Sequence, residues 1–153
     1  MKFGIYTLVI ENHMKSNSIP GFHMDFGWGM GYILIPHNHP FYGKHYDDIS
    51  ISVHGGLTYG KKFNSDNFLK WIENREIHGD VTKENYQKFN NYWIIGFDTN
   101  HYGDDLYECS LDYVINETDS MVDQCLSDDI KEIDKYLRYY LRKDKLKKIN
   151  GII

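Results

Sequence analysis

Eight histidines occur in 153 residues, and those with the most chemistry around them stand in two short motifs. The first is His54-Gly55-Gly56-Leu57-Thr58-Tyr59, and the second is Gly96-Phe97-Asp98-Thr99-Asn100-His101-Tyr102-Gly103-Asp104. Each follows an apolar run with ionisable side chains and glycines, the pattern of a rigid strand that presents reactive groups at its end. Asp98, His101 and Asp104 recur three residues apart, so one tight turn brings all three side chains together. Imidazole and carboxylate donors suit zinc, manganese or iron, whereas a structural zinc site recruits cysteines in close pairs. The expected arrangement is therefore a catalytic divalent metal held by His54, Asp98 and His101, with Asp104 orienting the water or acting as general base. Such an ion lowers the pKa of bound water and polarises a phosphoryl or carbonyl oxygen.

Further ligand contacts are expected from both sides of the first motif. His37 and His39 project to one side of an extended segment, and His39 and His45 are counted with the same rim. The amides of Gly55 and Gly56 could cradle a phosphate without any lysine, with Thr58 and Tyr59 beside them. The pattern is neither a Walker loop nor a dinucleotide fingerprint. There is no Gly-x-Ser-x-Gly elbow, and neither cysteine lies near a histidine in sequence, so a cysteine nucleophile is not expected. A competing reading makes the histidines hydrogen-bonded anchors of the sheet, Asp98 a turn former and Asp104 a helix cap. His13, His23 and His78 fall in polar loops and read as solvated side chains.

These residues need elements to hold them. Tyr6 to Glu11 reads as a strand, as does Gly29 to Ile35, which Pro36 stops. Ile49 to Val53 alternates apolar and polar residues and delivers His54 to a strand end, and Leu57 to Tyr59 resumes the sheet. Tyr92 to Phe97 is a compact apolar run, the mark of a central strand buried on both faces. Asn12 to Gly21 and His37 to Asp48 read as loops, and Asp66 to Glu76 and Thr82 to Phe89 as short helices. Two longer helices close the chain. One covers Asp105 to Leu126 and separates Cys109 from Cys125 by roughly 24 Å, too far for a disulfide. The other covers Asp128 to Lys148, with Ile130, Ile133, Leu137, Tyr140 and Leu141 as its inward stripe. Strands first and helices last predict an α+β fold, a mainly antiparallel sheet with two C-terminal helices packed on one face. One domain over residues 1–153 is expected from the length.

Composition bounds the partners. A hydrophobic fraction of 41% and an aromatic fraction of 16% exclude a disordered chain. Residues 128–153 hold 8 Lys/Arg against 5 Asp/Glu, and the first 127 hold 9 against 17. So acidic a body argues against a surface for duplex nucleic acid. Free thiols, the lack of an apolar run of membrane length and the lack of a secretory h-region point to a soluble cytoplasmic protein with no membrane partner.

The chain resembles a family of small proteins encoded by tailed phages and prophages. The resemblance rests on Gly31-Tyr32, His39-Pro40, Gly43-Lys44 with Tyr46-Asp47-Asp48, the His54 to Tyr59 and Gly96 to Asp104 motifs, and Tyr113-Val114 with Gln124. It spans roughly Gly29 to Leu126 and leaves out Lys61 to Asn91 and the basic C-terminal helix. The chain departs from it at Thr99-Asn100, where the family favours small residues. The resemblance implies an accessory protein working in the cytoplasm of a bacterial host. Joined to the residues above, it sets the expectation of a His/Asp site that binds, and with a metal hydrolyses, a nucleotide-like phosphate compound. The alternative is a non-catalytic protein that sequesters a defence signal or inhibits a host protein.

Overall fold

The structure is a computed structural model and describes residues 1–151. Its strands are β1 (Tyr6–Glu11), β2 (Ser16–Ile19), β3 (Phe22–Asp25), β4 (Gly29–Ile35), β5 (Tyr59–Lys62), β6 (Ile77–Gly79) and β7 (Trp93–Asp98). Its helices are α1 (Phe68–Trp71), α2 (Leu111–Cys125) and α3 (Ile133–Ile149). Five strands form one sheet in the order β5-β7-β4-β1-β6, every pair antiparallel. The fold is α+β with two C-terminal helices, as the element order predicts.

Alternation along the central strands sorts the core into two layers, because successive side chains leave a strand on opposite faces. Val9, Ile33, Ile35, Ile95 and Phe97 pack with Val114, Met121, Val122 and Cys125 of α2. Leu8, Ile10, Tyr32, Leu34 and Ile94 face the other way, onto Phe63, Phe68, Ile72, Val81 and Phe89. The segment 61–91 thus covers the sheet face opposite α2. That explains why β7 and β4 read as apolar runs rather than as alternating ones.

Several local expectations change. Asn12 to Gly21, expected as a loop, contains the strand β2, which pairs with β3 in a hairpin that turns at Pro20-Gly21 between the paired Ile19 and Phe22. Ile49 to Val53 is not a strand. It lies along α2, whose Gln124 accepts from the Ser52 amide at 2.7 Å and donates to the Ser52 carbonyl at 2.8 Å. One side chain of a helix does the work of a neighbouring strand there, which satisfies the backbone as a ladder would. The expected helices in 66–76 and 82–89 shrink to the single turn of α1 and to 3-10 turns.

The first long helix begins later than its periodicity predicts. Ser110 caps α2 by accepting from the Tyr113 amide, a standard N-terminal device, and residues 105–109 form a separate turn closed by the Cys109 amide on the Asp105 carbonyl at 2.9 Å. Cys109 is therefore off the helix. The second begins at Ile133, after Glu132 in the left-handed region. Its inward stripe is shorter than expected: Ile133 and Tyr136 are buried, whereas Leu141 is 55% exposed. The Tyr136 hydroxyl donates to the Phe3 carbonyl and so ties this helix to the N-terminus. Among the described residues no helix is long and apolar enough to cross a membrane.

Candidate functional site

β7 ends at Asp98, and the next six residues fold back tightly. Asp98 Oδ1 accepts from the Asn100 amide at 3.0 Å, and the Asp104 amide donates to the His101 carbonyl at 3.0 Å. Thr99 is fully buried, with its hydroxyl on the Gly29 carbonyl at 2.7 Å, which pins the loop to the start of β4. The glycine-rich run before β4 serves the same packing. A Cβ at Gly27 would overlap both Thr99 and Cys109, so only glycine lets the two loops meet over that strand.

The turn points its ionisable groups at His54. Asp104 Oδ1 accepts from His54 Nε2 at 2.9 Å, and Asp104 Oδ2 takes the His101 amide at 2.9 Å and His101 Nδ1 at 3.2 Å. His101 Nε2 lies 3.6 Å from Asp98 Oδ1. Gly55 makes this possible. Its φ is +66°, and a Cβ there would run into the His101 ring. Cys109 closes the group, with Sγ 3.8 Å from Asp104 Oδ1 and 4.0 Å from His54 Nε2. One ligand atom each from His54, Asp104 and Cys109 lie within 4.8 Å of one another, so these three residues could hold a metal ion.

A further set of contacts orients His54. Its amide donates to Glu117 Oε1 at 3.0 Å, and its Nδ1 meets the Tyr113 hydroxyl at 3.0 Å. Tyr113 donates in turn to Glu117 at 3.2 Å. Asp104, His54, Tyr113 and Glu117 are thus joined by one continuous path of hydrogen bonds, and two successive turns of α2 hold the imidazole plane.

Burial and charge set the protonation states. Burial pulls the Asp104 carboxyl upward, but the His101 amide and the His54 imidazole outweigh it and hold the group below the ordinary carboxylate value. Desolvation and the neighbouring Asp104 charge push the Cys109 thiol up to about 11, so without a metal it stays a thiol and is a poor nucleophile. Desolvation and Glu117 likewise push Tyr113 up to about 12.

The sequence-derived candidates divide. His54, Asp98, His101 and Asp104 do meet, and Thr58 joins them by donating to Asp98 Oδ2 at 2.9 Å. The compact donor group, however, has Asp104 and Cys109 where Asp98 and His101 were expected. Both Asp98 oxygens already accept hydrogen bonds, from Thr58 and from the Asn100 amide. Gly56 has φ +80° with open space around it. Tyr59 lies on the other sheet face, against Tyr32 and Trp71. His45 caps a 3-10 turn by accepting from the Asp47 amide at 3.3 Å and is exposed.

His39 is a structural residue away from this cluster. It is 3% exposed, donates from Nε2 to the Cys125 carbonyl at 2.8 Å and accepts the Phe41 amide on Nδ1 at 3.0 Å. That is the neutral tautomer, and burial lowers the pKa below its usual value. The unfolded chain then binds the proton more tightly, so the stabilisation is complete above about pH 6.5 and is lost as pH falls through the lower folded value, by at most about 1.4 kcal/mol per pH unit. Denaturant titrations between pH 7 and 5 should show this slope, and His39→Gln should flatten it. An unchanged slope in the variant would assign the effect elsewhere.

Cys109 and Glu117 are the residues that sequence reasoning missed, and Tyr113 and Gln124 entered it only as matching pieces of the family resemblance, with no role at the site. A signal existed for the first: Ser110 read as an N-cap ends the helix before Cys109. Tyr113, Glu117 and Gln124 recur at helical spacing, which places them on one face without naming what that face meets. No protein-family model, curated protein or solved structure matches the chain, so function has to be argued from this cluster.

Proposed function

We propose that His54, Asp104 and Cys109 bind a divalent transition metal, and that the protein uses it to hydrolyse a nucleotide-like phosphate compound. The observation that carries this reading is the mutual proximity of one nitrogen, one oxygen and one sulfur donor within 4.8 Å. Three protein ligands leave a fourth position free, the pattern of a catalytic rather than a structural centre. The sulfur favours zinc over manganese, because soft donors select against the harder ion. A bound zinc would supply an acidified water and a Lewis acid for a phosphoryl oxygen.

The chain's own groups divide the remaining work. His54 would ligate through Nε2 while Nδ1 donates to Tyr113, the outer-shell arrangement that fixes a metal-bound imidazole. Asp104, as a ligand, would not be free to act as the base, which leaves His101 as the proton acceptor. Its side chain is 38% exposed, and it stands between Asp98 and Asp104. Among the described residues no lysine or arginine pairs with Asp98, Asp104 or Glu117. Phosphate recognition therefore falls to the metal, to His101 and to the exposed turn at Gly55-Gly56.

Metal analysis of untagged protein, with turnover assays on nucleotides and cyclic dinucleotides in chelator and in added zinc, tests the reading. About one zinc per chain and turnover restored by zinc are expected. Protein with no bound metal and no turnover under any divalent ion would end it. Tyr113→Phe should weaken zinc binding by about 10–100-fold, the usual cost of removing an outer-shell partner. Equal affinity in that variant would remove Tyr113 from the scheme.

A further inference from the structure

Helix α3 carries more cationic and more uncovered apolar surface than its packing uses. Of its 17 residues only Ile133 and Tyr136 are buried, while Tyr139, Leu141, Leu146 and Ile149 are 51%, 55%, 59% and 70% exposed. From Lys131 to Lys148 there are 8 basic residues against 3 acidic ones, on a chain whose remainder is acidic. At 3.6 residues per turn, Lys135, Tyr139, Arg142, Lys143 and Leu146 fall within about 100° of one another and share one face. With Arg138 it lines a shallow open groove along the helix, whose N-terminal end also carries Glu132 and Asp134. The groove runs on past Tyr139 and Lys143 into a cleft of about 590 Å³ between α3, Tyr92 and the Pro36–Pro40 segment.

The lining selects the partner's chemistry. Lys135, Arg138, Arg142 and Lys143 outnumber Glu132 and Asp134 two to one and, beyond the first turn of the helix, stand without an acidic neighbour in the lining, which calls for a run of negative charge. Tyr139 is half exposed, and Tyr92 and Tyr140 line the cleft with their edges in reach of solvent, so the partner also offers flat rings. Phosphates spaced along a flexible backbone with bases free to stack meet both demands. A duplex does not, because its bases are already stacked and its charge needs a wider basic surface than one helix flanked by an acidic body. A bilayer surface fits less well, since Leu141 points away from Tyr139 and Leu146 and the helix has no single apolar face.

We infer that the groove along α3 and the Pro36–Pro40 segment binds single-stranded nucleic acid, with bases on Tyr139 and the cleft tyrosines and phosphates along Lys135, Arg138, Arg142 and Lys143. The groove shares no residue with the His54–Asp104–Cys109 group, and the inference does not rest on that site being a metal centre.

Fluorescence anisotropy of the full chain with a labelled oligothymidylate and an oligouridylate of about 20 nucleotides tests it. Binding is expected at low salt, with log affinity falling against log salt at a slope of about −2 to −3, as three or four single-strand phosphate contacts require. Arg138→Glu with Arg142→Glu should reduce affinity more than about tenfold, both positions being exposed charges whose replacement leaves the core intact. Tyr139→Ala should weaken binding about tenfold at an unchanged salt slope, which separates stacking from mere charge. Asp104→Asn should bind the oligonucleotides as the native chain does, so a failed metal reading and a failed groove reading are told apart. The inference is overturned by absent binding at low salt, by equal affinity for a duplex of the same length, or by a charge-reversed variant that binds unchanged. Preference for phosphatidylserine vesicles would assign the groove to a membrane surface instead. Self-association in sedimentation that disappears on charge reversal would assign it to the acidic body of a second copy.

Discussion

Cys109→Ser should lower zinc affinity by more than about a hundredfold, beyond what outer-shell substitutions cost, and Asp104→Asn should do the same. The thiol is held at 3.8 Å from Asp104 Oδ1 and 4.0 Å from His54 Nε2, with its pKa pushed up to about 11. Only a cation in that space offsets the cost of ionising it, so metal uptake should release a proton and affinity should rise with pH. Asp98→Asn is the control. Its carboxylate lies outside the close donor group of His54, Asp104 and Cys109, and its loss should leave bound zinc in place while reducing turnover through His101, 3.6 Å away. Isothermal titration with zinc, run on all three variants with circular dichroism to verify folding, gives the answer. Full zinc binding by folded Cys109→Ser would show that sulfur is not a ligand, and loss of metal in Asp98→Asn would restore the ligand set expected from the motifs.

Phe97→Ala should be the most damaging of the core substitutions next to the site. Phe97 is 1% exposed, one residue before Asp98, and its ring lies over Gly31 beside Thr118 of α2. Those neighbours are the backbone of a central strand and the side of a helix, so the space left by the ring cannot collapse. Truncations of this kind cost about 3–5 kcal/mol, a large share of the roughly 5–15 kcal/mol by which a domain is stable. The corresponding fall in Tm is roughly 6–20 °C for a chain of this size. Phe97→Leu, which keeps most of the volume, should lose far less. A fall of under about 3 °C for Phe97→Ala would mean that β4 and α2 close the gap. Because Asp98 follows directly on β7, the same variant should also lower zinc affinity through the displaced 98–104 turn.

The elements that were legible in the sequence are those whose own residues meet the demands of their environment. The apolar runs ending at Ile35 and Phe97 and the helical spacing of Val114, Val122 and Cys125 depend on local periodicity, and the chain carries that signal wherever it goes. Ile49 to Val53 misled for the same reason. Its alternation is real, and Ile49 is buried, but its backbone is satisfied by Gln124 rather than by a strand. Alternation reports which side chains turn inward, not which neighbour receives the hydrogen bonds. The helix start misled because Leu106 and Tyr107 continue the apolar spacing outward, whereas the Ser110 cap ends the helix and leaves Tyr107 92% exposed.

By itself the sequence determined the α+β class, the strands β1, β4 and β7 and the two turns that carry His54 and the Asp98–Asp104 group. These follow from residue periodicity and from short spacings that one turn can close. Only the tertiary structure decided that Cys109 stands with His54 and Asp104, that Tyr113 and Glu117 hold the imidazole, and that His39 belongs to the core beneath Tyr136. Each of those contacts joins residues far apart in the chain or hangs on where one helix begins. Such distances are set by how the sheet, α2 and the loops pack together, and no local pattern encodes them.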